Sequence, residues 1–463
     1  MFFEQFYLTC LAHASYMIGS GGEAAIIDPQ RDVDLYLEAA DEQGLKIRHI
    51  FETHLHADFV SGHKELAART GAKIYIGAEA HAGFPHTPLQ DGTEVKIGSL
   101  RIRALETPGH TPESICLVIT DEQKSLEPWG VLTGDTLFIG DVGRPDLSPQ
   151  HTPQQLAGLL YDSLHQKLLR LPDPTLVYPA HGAGSLCGRS MRAERSSTIG
   201  TERLTNYALQ IGSREEFVRQ VTANLPARPG YFLQDAEINR SGADAITDRP
   251  PLPVLTPAQI QALLDQKANV VDVRPPEQFA AGHIPGSINI ALSGQFATWA
   301  GTILGLASKP VLVAETDAQI EEANLRLSRV GIEDIQGYLA GGVLAWNKAG
   351  RPLATTAQIS AEELELKLRE GSVSVLDVRR DGEWQSGHIA QAENRALDIF
   401  PQGLPDVDPV QPLAVHCKSG YRSIIACSLL ERAGHRNVIN VVGGFDAWHA
   451  AGLPEVTEQL AKA

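Results

Sequence analysis

The feature that most constrains this chain is a repeat in its last two hundred or so residues. Val270-Val-Asp-Val-Arg274, followed by Glu277-Gln-Phe-Ala-Ala-Gly-His-Ile-Pro285, recurs as Val375-Leu-Asp-Val-Arg379, followed by Glu383-Trp-Gln-Ser-Gly-His-Ile389. Asp272/Asp377, Arg274/Arg379, Gly282/Gly387 and His283/His388 share one offset of 105 residues, and Gly341-Gly-Val-Leu-Ala-Trp346 matches Gly443-Gly-Phe-Asp-Ala-Trp448 at an offset of 102. A period of about 100 residues is one small domain, so the chain ends in two copies of one fold. Within each copy a short β-branched run alternates with a helical-period segment, Thr256 to Leu264 or Ala361 to Leu368, which predicts an α/β domain with a parallel sheet wrapped by helices. At ~150 residues per domain, 463 residues leave room for one domain ahead of the repeat. The expected boundaries are 1–240 for that domain, 241–255 for a linker, 256–353 for the first copy and 354–458 for the second. Asp248-Arg-Pro-Pro-Leu-Pro-Val254 marks the linker, because its prolines cannot continue a helix or a central strand, and a second junction lies near Gly350-Arg-Pro352. The first 180 residues alternate short strands with turns, and 190–225 is expected to be mostly helical.

A constellation of histidine and aspartate stands out in the domain ahead of the repeat. His49-Ile-Phe-Glu-Thr-His-Leu-His-Ala-Asp-Phe-Val-Ser-Gly-His63 reads as a strand running into a loop, with His54, His56 and Asp58 at alternate positions. In an extended segment, alternation puts the three side chains on one side, which suits a metal. Thr107-Pro-Gly-His-Thr-Pro112, Thr133-Gly-Asp-Thr136 and Tyr178-Pro-Ala-His-Gly182 each add a His or Asp on a turn after an apolar strand. Any one of these alone is an ordinary loop residue satisfied by hydrogen bonds; their joint occurrence points to a metal.

Asp28-Pro, HxHxD, PGH, GDT and PAHG in this order resemble the metallo-β-lactamase superfamily, which implies an αββα sandwich with a metal at the strand ends. Binuclear hydrolases of that superfamily use HxHxDH, and the final position here is Phe59. A phenyl ring cannot ligate, so one metal per chain is expected. What remains is His54, His110 and Asp135, with His56, Asp58 and His181 nearby as outer partners. Two imidazoles and one carboxylate with open positions form the facial triad of non-haem Fe(II) oxygenases. His54-Leu-His-Ala-Asp58, the TPGHT segment and Gly134-Asp-Thr-Leu-Phe-Ile-Gly-Asp-Val-Gly-Arg-Pro-Asp146 are further similar to persulfide dioxygenases of the ethylmalonic-encephalopathy protein type. That resemblance implies Fe(II), one per chain, on His54, His110 and Asp135, with zinc as the alternative. It also sets Arg144 and Asp146 near the substrate pocket, either as a substrate contact or as an ion pair closing a turn. Ser197-Thr-Ile-Gly-Thr-Glu-Arg-Leu-Thr-Asn206, expected as a long helical segment, and Arg228-Pro-Gly-Tyr-Phe-Leu233 resemble fused dioxygenase and rhodanese proteins. Cys187 reads as packing.

In the last copy, Leu413-Ala-Val-His416 reads as a buried strand, Cys417-Lys-Ser-Gly-Tyr-Arg422 as a tight loop, and Ser423 to Ala433 as an apolar helix. A cysteine there sits in backbone N–H groups at the positive helix end, and Lys418 and Arg422 add cationic charge, so a thiolate is favoured. Such a nucleophile takes up and releases sulfur as a persulfide. With Asp-Val-Arg, Gly-His-Ile and Gly-Gly-Phe-x-x-Trp around it, this copy resembles rhodanese sulfurtransferases over its full length. The resemblance assigns Cys417 and Arg422 to catalysis and Lys418 to anion binding. In the first copy, Pro310-Val-Leu-Val-Ala-Glu-Thr-Asp317 puts Glu315 at the cysteine position, and no Cys occurs between Cys187 and Cys417. That copy cannot carry sulfur on cysteine and is expected to be a spacer or docking surface.

Composition narrows the partners. Lys+Arg 39 against Asp+Glu 56 gives 39 − 56 = −17, a balance that repels phosphate backbones and anionic lipid headgroups, so neither nucleic acid nor membrane is expected. No apolar run approaches the ~20 residues of a membrane span, and MFFEQFYLTCLAHASYMIGS lacks the basic start of a signal peptide, so a cytoplasmic location is expected. Five scattered cysteines without a CxxC pair indicate no disulfide framework. Homo-oligomerisation is left open. The combined expectation is oxidation of a thiol persulfide, such as glutathione persulfide, by O₂ to sulfite and thiol, coupled to sulfur transfer between thiosulfate, sulfite and thiol persulfides. Two rival readings are a thioester hydrolase resembling glyoxalase II, with zinc-activated water, and a sulfur-relay or redox-sensing module with a structural metal.

Overall fold

Apolar residues fall on both faces of the strands in the first 180 residues, and that pattern dictates a layered fold. The computed structural model describes residues 1–223, 225 and 227–457; residue 458, the expected end of the last domain, lies outside them. The chain forms two compact units, one of Met1–Arg249 with Ser328–Gly331, the other of Pro250–Leu327 with the chain from Ile332 onward.

In the first unit, neighbours such as Met17/Ile18 and Ile26/Ile27 are all buried although they point to opposite faces of their sheet, so each sheet is covered on both sides. Two six-stranded sheets pack through Tyr16, Ile27, Phe51, Ile102, Leu117 and Leu132. Outside the first sheet, Met17, Ile26 and Ile50 pack on the helices Asp34–Glu42 and His63–Thr70 through Tyr36 and Leu66. Outside the second, Val118, Val131 and Val177 pack on the helix Pro153–Gln166 through Leu160 and Leu164. The result is the expected αββα sandwich. Strands Glu23–Ile27, Lys46–Glu52, Leu100–Glu106, Gly130–Gly134 and Leu176–Pro179 all end just before an Asp or His of the constellation.

Two local expectations need correction. Residues 53–62 are an irregular loop rather than an extended segment, so the alternation of His54, His56 and Asp58 does not put them on one side. Ser197–Asn206 is not a long helix either: Ser197–Thr198 pairs as a strand, and the helix spans only Ile199–Thr205. Asn206 stops it, because its Nδ2 donates to the carbonyls of Phe138 and Asp141 at 3.3 and 3.0 Å while its Oδ1 accepts the Ala208 N–H at 3.1 Å. A side chain committed to backbone groups competes with helix continuation.

Apart from Ser328–Gly331, both repeat copies lie in the second unit, and they have the same topology. Each is a five-stranded parallel sheet, the first ordered Val254–Leu255, Gly337–Leu339, Val311–Val313, Val270–Asp272, Ile288–Asn289, and the second Ala357–Ile359, Val438–Val441, Leu413–His416, Ser374–Asp377, Ala392–Asn394. Val254–Leu255, expected inside the linker, is thus an edge strand, where the preceding prolines cost no ladder bonds. The helices Pro257–Asp265 and Ala361–Arg369 start on capping boxes, Thr256 with Gln259 and Ser360 with Glu363. Among the described residues, no helix is long and apolar enough to cross a membrane.

Candidate metal centre and sulfur-transfer loop

Loops after the strand ends of the first unit bring the metal candidates together. His54, His110 and Asp135 are at most 1% exposed, and one ligand atom from each lies within 4.8 Å of the others. Asp135 Oδ2 is 3.8 Å from His54 Nε2 and 3.3 Å from His110 Nε2. These three atoms have no hydrogen-bond partner among the described residues, a costly arrangement for buried polar groups unless something else satisfies them.

Neighbouring groups orient the two imidazoles. Thr53 Oγ1 donates to Asp28 Oδ2 at 2.9 Å and lies 3.0 Å from His54 Nδ1, so it takes the proton of that nitrogen. His110 Nδ1 donates to the carbonyl of Arg144 at 2.9 Å. Both rings therefore turn an unprotonated Nε2 toward Asp135, the outer-partner pattern of metal-binding histidine. Burial lowers the pKa of both His54 and His110, which keeps them neutral and able to ligate. Burial raises the Asp135 carboxyl, but His181, His110 and His54 reverse that and hold it well below the usual carboxylate range. Two neutral nitrogens and a carboxylate fit a divalent metal such as iron or zinc. Gly143 is packed so close that a Cβ there would meet the Asp135 carbonyl at 2.0 Å and His110 Nδ1 at 2.8 Å.

The remaining candidates occupy the surroundings. His181 Nδ1 donates to Asp135 Oδ1 at 2.8 Å, and its Nε2 lies 2.9 Å from Asp58 Oδ2. Burial opposes charge on His181, yet Asp135 and Asp58 on either side push its pKa well above the ordinary value. His56 turns away toward Asp28, at 3.2 Å, and Glu52, at 3.7 Å. Phe59 is fully buried, its ring centroid 4.4 Å from that of His56 and 4.0 Å from that of His13. The Arg144 guanidinium is engaged by Asp146 at 2.7 and 2.8 Å and by the Leu186 carbonyl at 3.2 Å, so this pair braces the turn whose carbonyl holds His110.

Sequence reasoning overlooked His13 and Glu52 and set Cys187 aside. His13 opens a strand, bridges His181 through its backbone and is completely buried; an apolar strand with one histidine gave no motif to find it by. Cys187 gathers with Asp58 and His181. Burial, then the nearby carboxylates Asp58 and Asp135, push its thiol well above the ordinary value.

In the second unit, the strand Leu413–His416 delivers Cys417 and the helix Tyr421–Arg432 follows the loop. Cys417 Sγ accepts the Gly420 N–H at 3.1 Å and lies 3.7 Å from Ser423 Oγ. Lys418 is exposed. The Arg422 guanidinium forms a bidentate pair with Glu383, both contacts 2.6 Å. Beneath the loop, Gly444 has φ +56 and a Cβ there would meet the Cys417 carbonyl at 2.4 Å, while Phe445 N–H donates to that carbonyl at 2.7 Å. This close approach explains the repeated Gly-Gly. The other repeated residues are braces: Arg274 and Arg379 each grip Asp272 or Asp377 and the carbonyl of Gly282 or Gly387. Glu315, at the cysteine position of the first copy, is exposed.

Comparison with known proteins agrees with this division. Residues 8–181 match the metallo-beta-lactamase superfamily, and 256–349 and 360–451 each match the rhodanese-like domain. The mitochondrial persulfide dioxygenase ETHE1 of Bos taurus is 31% identical over 220 residues, which cover 46% of this chain and 77% of that protein. A probable metallo-hydrolase of Burkholderia pseudomallei is 31% identical over 276 residues, 51% of this chain and 91% of that one. A solved metallo-beta-lactamase structure from Staphylococcus aureus superposes with a TM-score of 0.66 at 35% identity, covering 73% of this chain and 98% of that chain.

Proposed function

The chain belongs to the metallo-β-lactamase superfamily, with two rhodanese-like domains behind that fold, and from this premise we propose that it oxidises a low-molecular-weight thiol persulfide and transfers sulfur on Cys417. The observation that carries the first half is the convergence of three unpartnered buried atoms, His54 Nε2, His110 Nε2 and Asp135 Oδ2. With a single iron on these atoms, RSSH + O₂ + H₂O gives RSH, sulfite and two protons; the metal supplies the means to bring O₂ and the sulfur together. His110 is kept in register by the Arg144 carbonyl, His54 by Thr53, and Asp135 by His181.

The second half rests on the cradle around Cys417. Its thiolate attacks the outer sulfur of thiosulfate, releasing sulfite and leaving a cysteine persulfide; attack by a thiol or by sulfite then removes that sulfur and restores the thiolate. Lys418, exposed within the loop, is suited to meeting the anionic donor. Persulfide and sulfite are thus shared between the two reactions.

A hydrolytic reading has support in the metallo-hydrolase relative and in Asp58 and His181, which stand 2.9 Å apart. Phe59 weighs against it, since a buried phenyl ring occupies the position of the additional ligand. An oxygen electrode run on iron-loaded protein with a panel of persulfides, beside thioester cleavage by zinc-loaded protein, decides between the two. Persulfide-dependent O₂ uptake supports the proposal, and thioester cleavage without O₂ uptake overturns it.

A further inference from the structure

The helix that follows the Cys417 loop packs against the copy that has no cysteine. Asn289 N–H donates to Ser428 Oγ at 3.1 Å, and Arg432 donates to Asn269 Oδ1 at 2.9 Å. One contact reaches the loop itself. Tyr421, the first residue of that helix and the one that closes the loop, donates its hydroxyl to the carbonyl of Ala291 at 2.8 Å. Its ring lies against Gly294, where a Cβ would stand 2.3, 2.5 and 2.7 Å from three ring atoms. The acceptor segment is itself held in place, because Arg326 Nη1 donates to the Leu292 carbonyl at 2.7 Å and Leu292 N–H donates to the Val273 carbonyl at 3.1 Å.

Tyr421 sits between the two residues that shape the cradle. Gly420 gives its N–H to Cys417 Sγ, and at φ +103 this glycine is free to leave that conformation as easily as it enters it, so its neighbours must hold it there. Arg422 on the other side is fixed by Glu383. Anchoring Tyr421 therefore fixes the C-terminal side of Gly420, the residue whose own N–H, in the Ser419–Gly420 peptide, reaches the sulfur. Burial also raises the Tyr421 phenol above its ordinary value, so it remains a donor to the carbonyl.

We propose that the cysteine-free copy positions the sulfur-transfer loop of the other copy, with Tyr421 as the positioning residue and Ala291 and Gly294 as its seat. This rests on the reading of Cys417 as a sulfur carrier, and gives the inert copy a part in that reaction beyond spacing. A preorganised donor acts on the step in which charge moves onto and off the sulfur, so the effect falls on rate more than on binding.

The test follows formation of the Cys417 persulfide from thiosulfate by rapid quench and mass spectrometry, with the full chain and its Y421F, G294A and S428A variants. Y421F keeps the ring and loses the hydrogen bond, and its maximal loading rate is expected to fall about 3- to 10-fold, the range of one buried hydrogen bond, with little change in half-saturating thiosulfate. G294A, which pushes the ring off its seat, is expected to fall at least as far. S428A removes a contact between the same two copies away from the loop, and is expected to load at the wild-type rate. Wild-type loading by Y421F, or an equal loss in S428A, overturns the positioning role; the first leaves Tyr421 without effect and the second reduces it to general docking. Absence of any loading in the wild type would instead remove the sulfur-carrier reading itself. If G294A fails to fold, Y421F and S428A decide alone.

Discussion

Replacing Asp135 by asparagine separates a metal centre from a buried polar cluster of purely structural use. Asp135 Oδ2 faces His54 Nε2 and His110 Nε2 at 3.8 and 3.3 Å, and Oδ1 accepts from His181 at 2.8 Å. Asparagine has the same shape but one oxygen and one NH₂ group. If its oxygen keeps the His181 bond, the NH₂ protons point to where the two Nε2 atoms converge; if it turns, they confront the His181 N–H. Either way an anionic ligand is lost. Removing an outer partner of a ligand costs about 10- to 100-fold in metal affinity, so losing the ligand itself is expected to cost at least ~100-fold, or about 2.7 kcal/mol. Metal-free protein loses the charge-assisted bond to His181 as well, worth ~1.5–3 kcal/mol. Because Asp135 is held below its ordinary value of 3.8, its contribution to stability is complete above that value and fades only as pH falls through the depressed one, so the whole penalty is present at pH 7. Anaerobic Fe(II) titration against a chromogenic chelator measures the affinity, and calorimetry of the metal-free protein measures the stability. Wild-type iron affinity in the variant would refute the ligand assignment.

The other expectations concern the second unit. Cys417→Ser is expected to abolish thiosulfate sulfurtransferase activity and leave persulfide-dependent O₂ uptake intact, whereas Glu315→Ala alters neither; paired assays on the same preparations check both. Gly444→Ala puts a methyl 2.4 Å from the Cys417 carbonyl and is expected to stop persulfide loading without changing metal content, as mass spectrometry and metal analysis will read. Burial raises the Glu431 carboxyl from 4.5 to about 7, against a hydrogen bond from Thr356 that lowers it. The folded state therefore holds this proton more tightly than the unfolded one, and stability falls as pH rises from 4.5 to about 7. At ~1.36 kcal/mol per unit the loss is on the order of 3 kcal/mol at most, so the advantage of Glu431→Gln over wild type grows across that window. Melting curves that stay parallel between the two proteins at acid and neutral pH would contradict this.

Much of the fold was legible because the repeated residues are braces. Asp272 with Arg274 and Asp377 with Arg379 make identical grips, Trp346 and Trp448 donate to the carbonyls of Pro352 and Pro454, and the Gly-Gly pairs pass close under the loops. Their spacing survives in both copies because the geometry they fix is the same. The metal candidates were legible because His54, His110, Asp135 and His181 stand on loops at strand ends, each in a short motif. Other contributors have no such signature. His13 is one residue of a buried strand, and Glu52 and Thr53 stand beside the HxHxD motif with no pattern that sets them apart, although they meet His56 and His54. Cys187 read as packing because nothing in its neighbours in sequence announces that Asp58 and His181 lie against it. The segment 197–206 misled for a different reason: its helical pattern was overruled by Asn206, whose partners Phe138 and Asp141 are more than sixty residues away.

The central claim, that a single iron on His54, His110 and Asp135 oxidises a persulfide, is tested most directly by the balance of the reaction in the Cys417→Ser protein, where no sulfur can be carried onward. Oxygen consumed, sulfite formed and thiol released are measured together, with iron content determined on the same sample. Equimolar O₂, sulfite and thiol at one iron per chain is the predicted result. Sulfite formed without matching O₂ uptake, or undiminished turnover in protein stripped of iron and reloaded with zinc, would contradict the account.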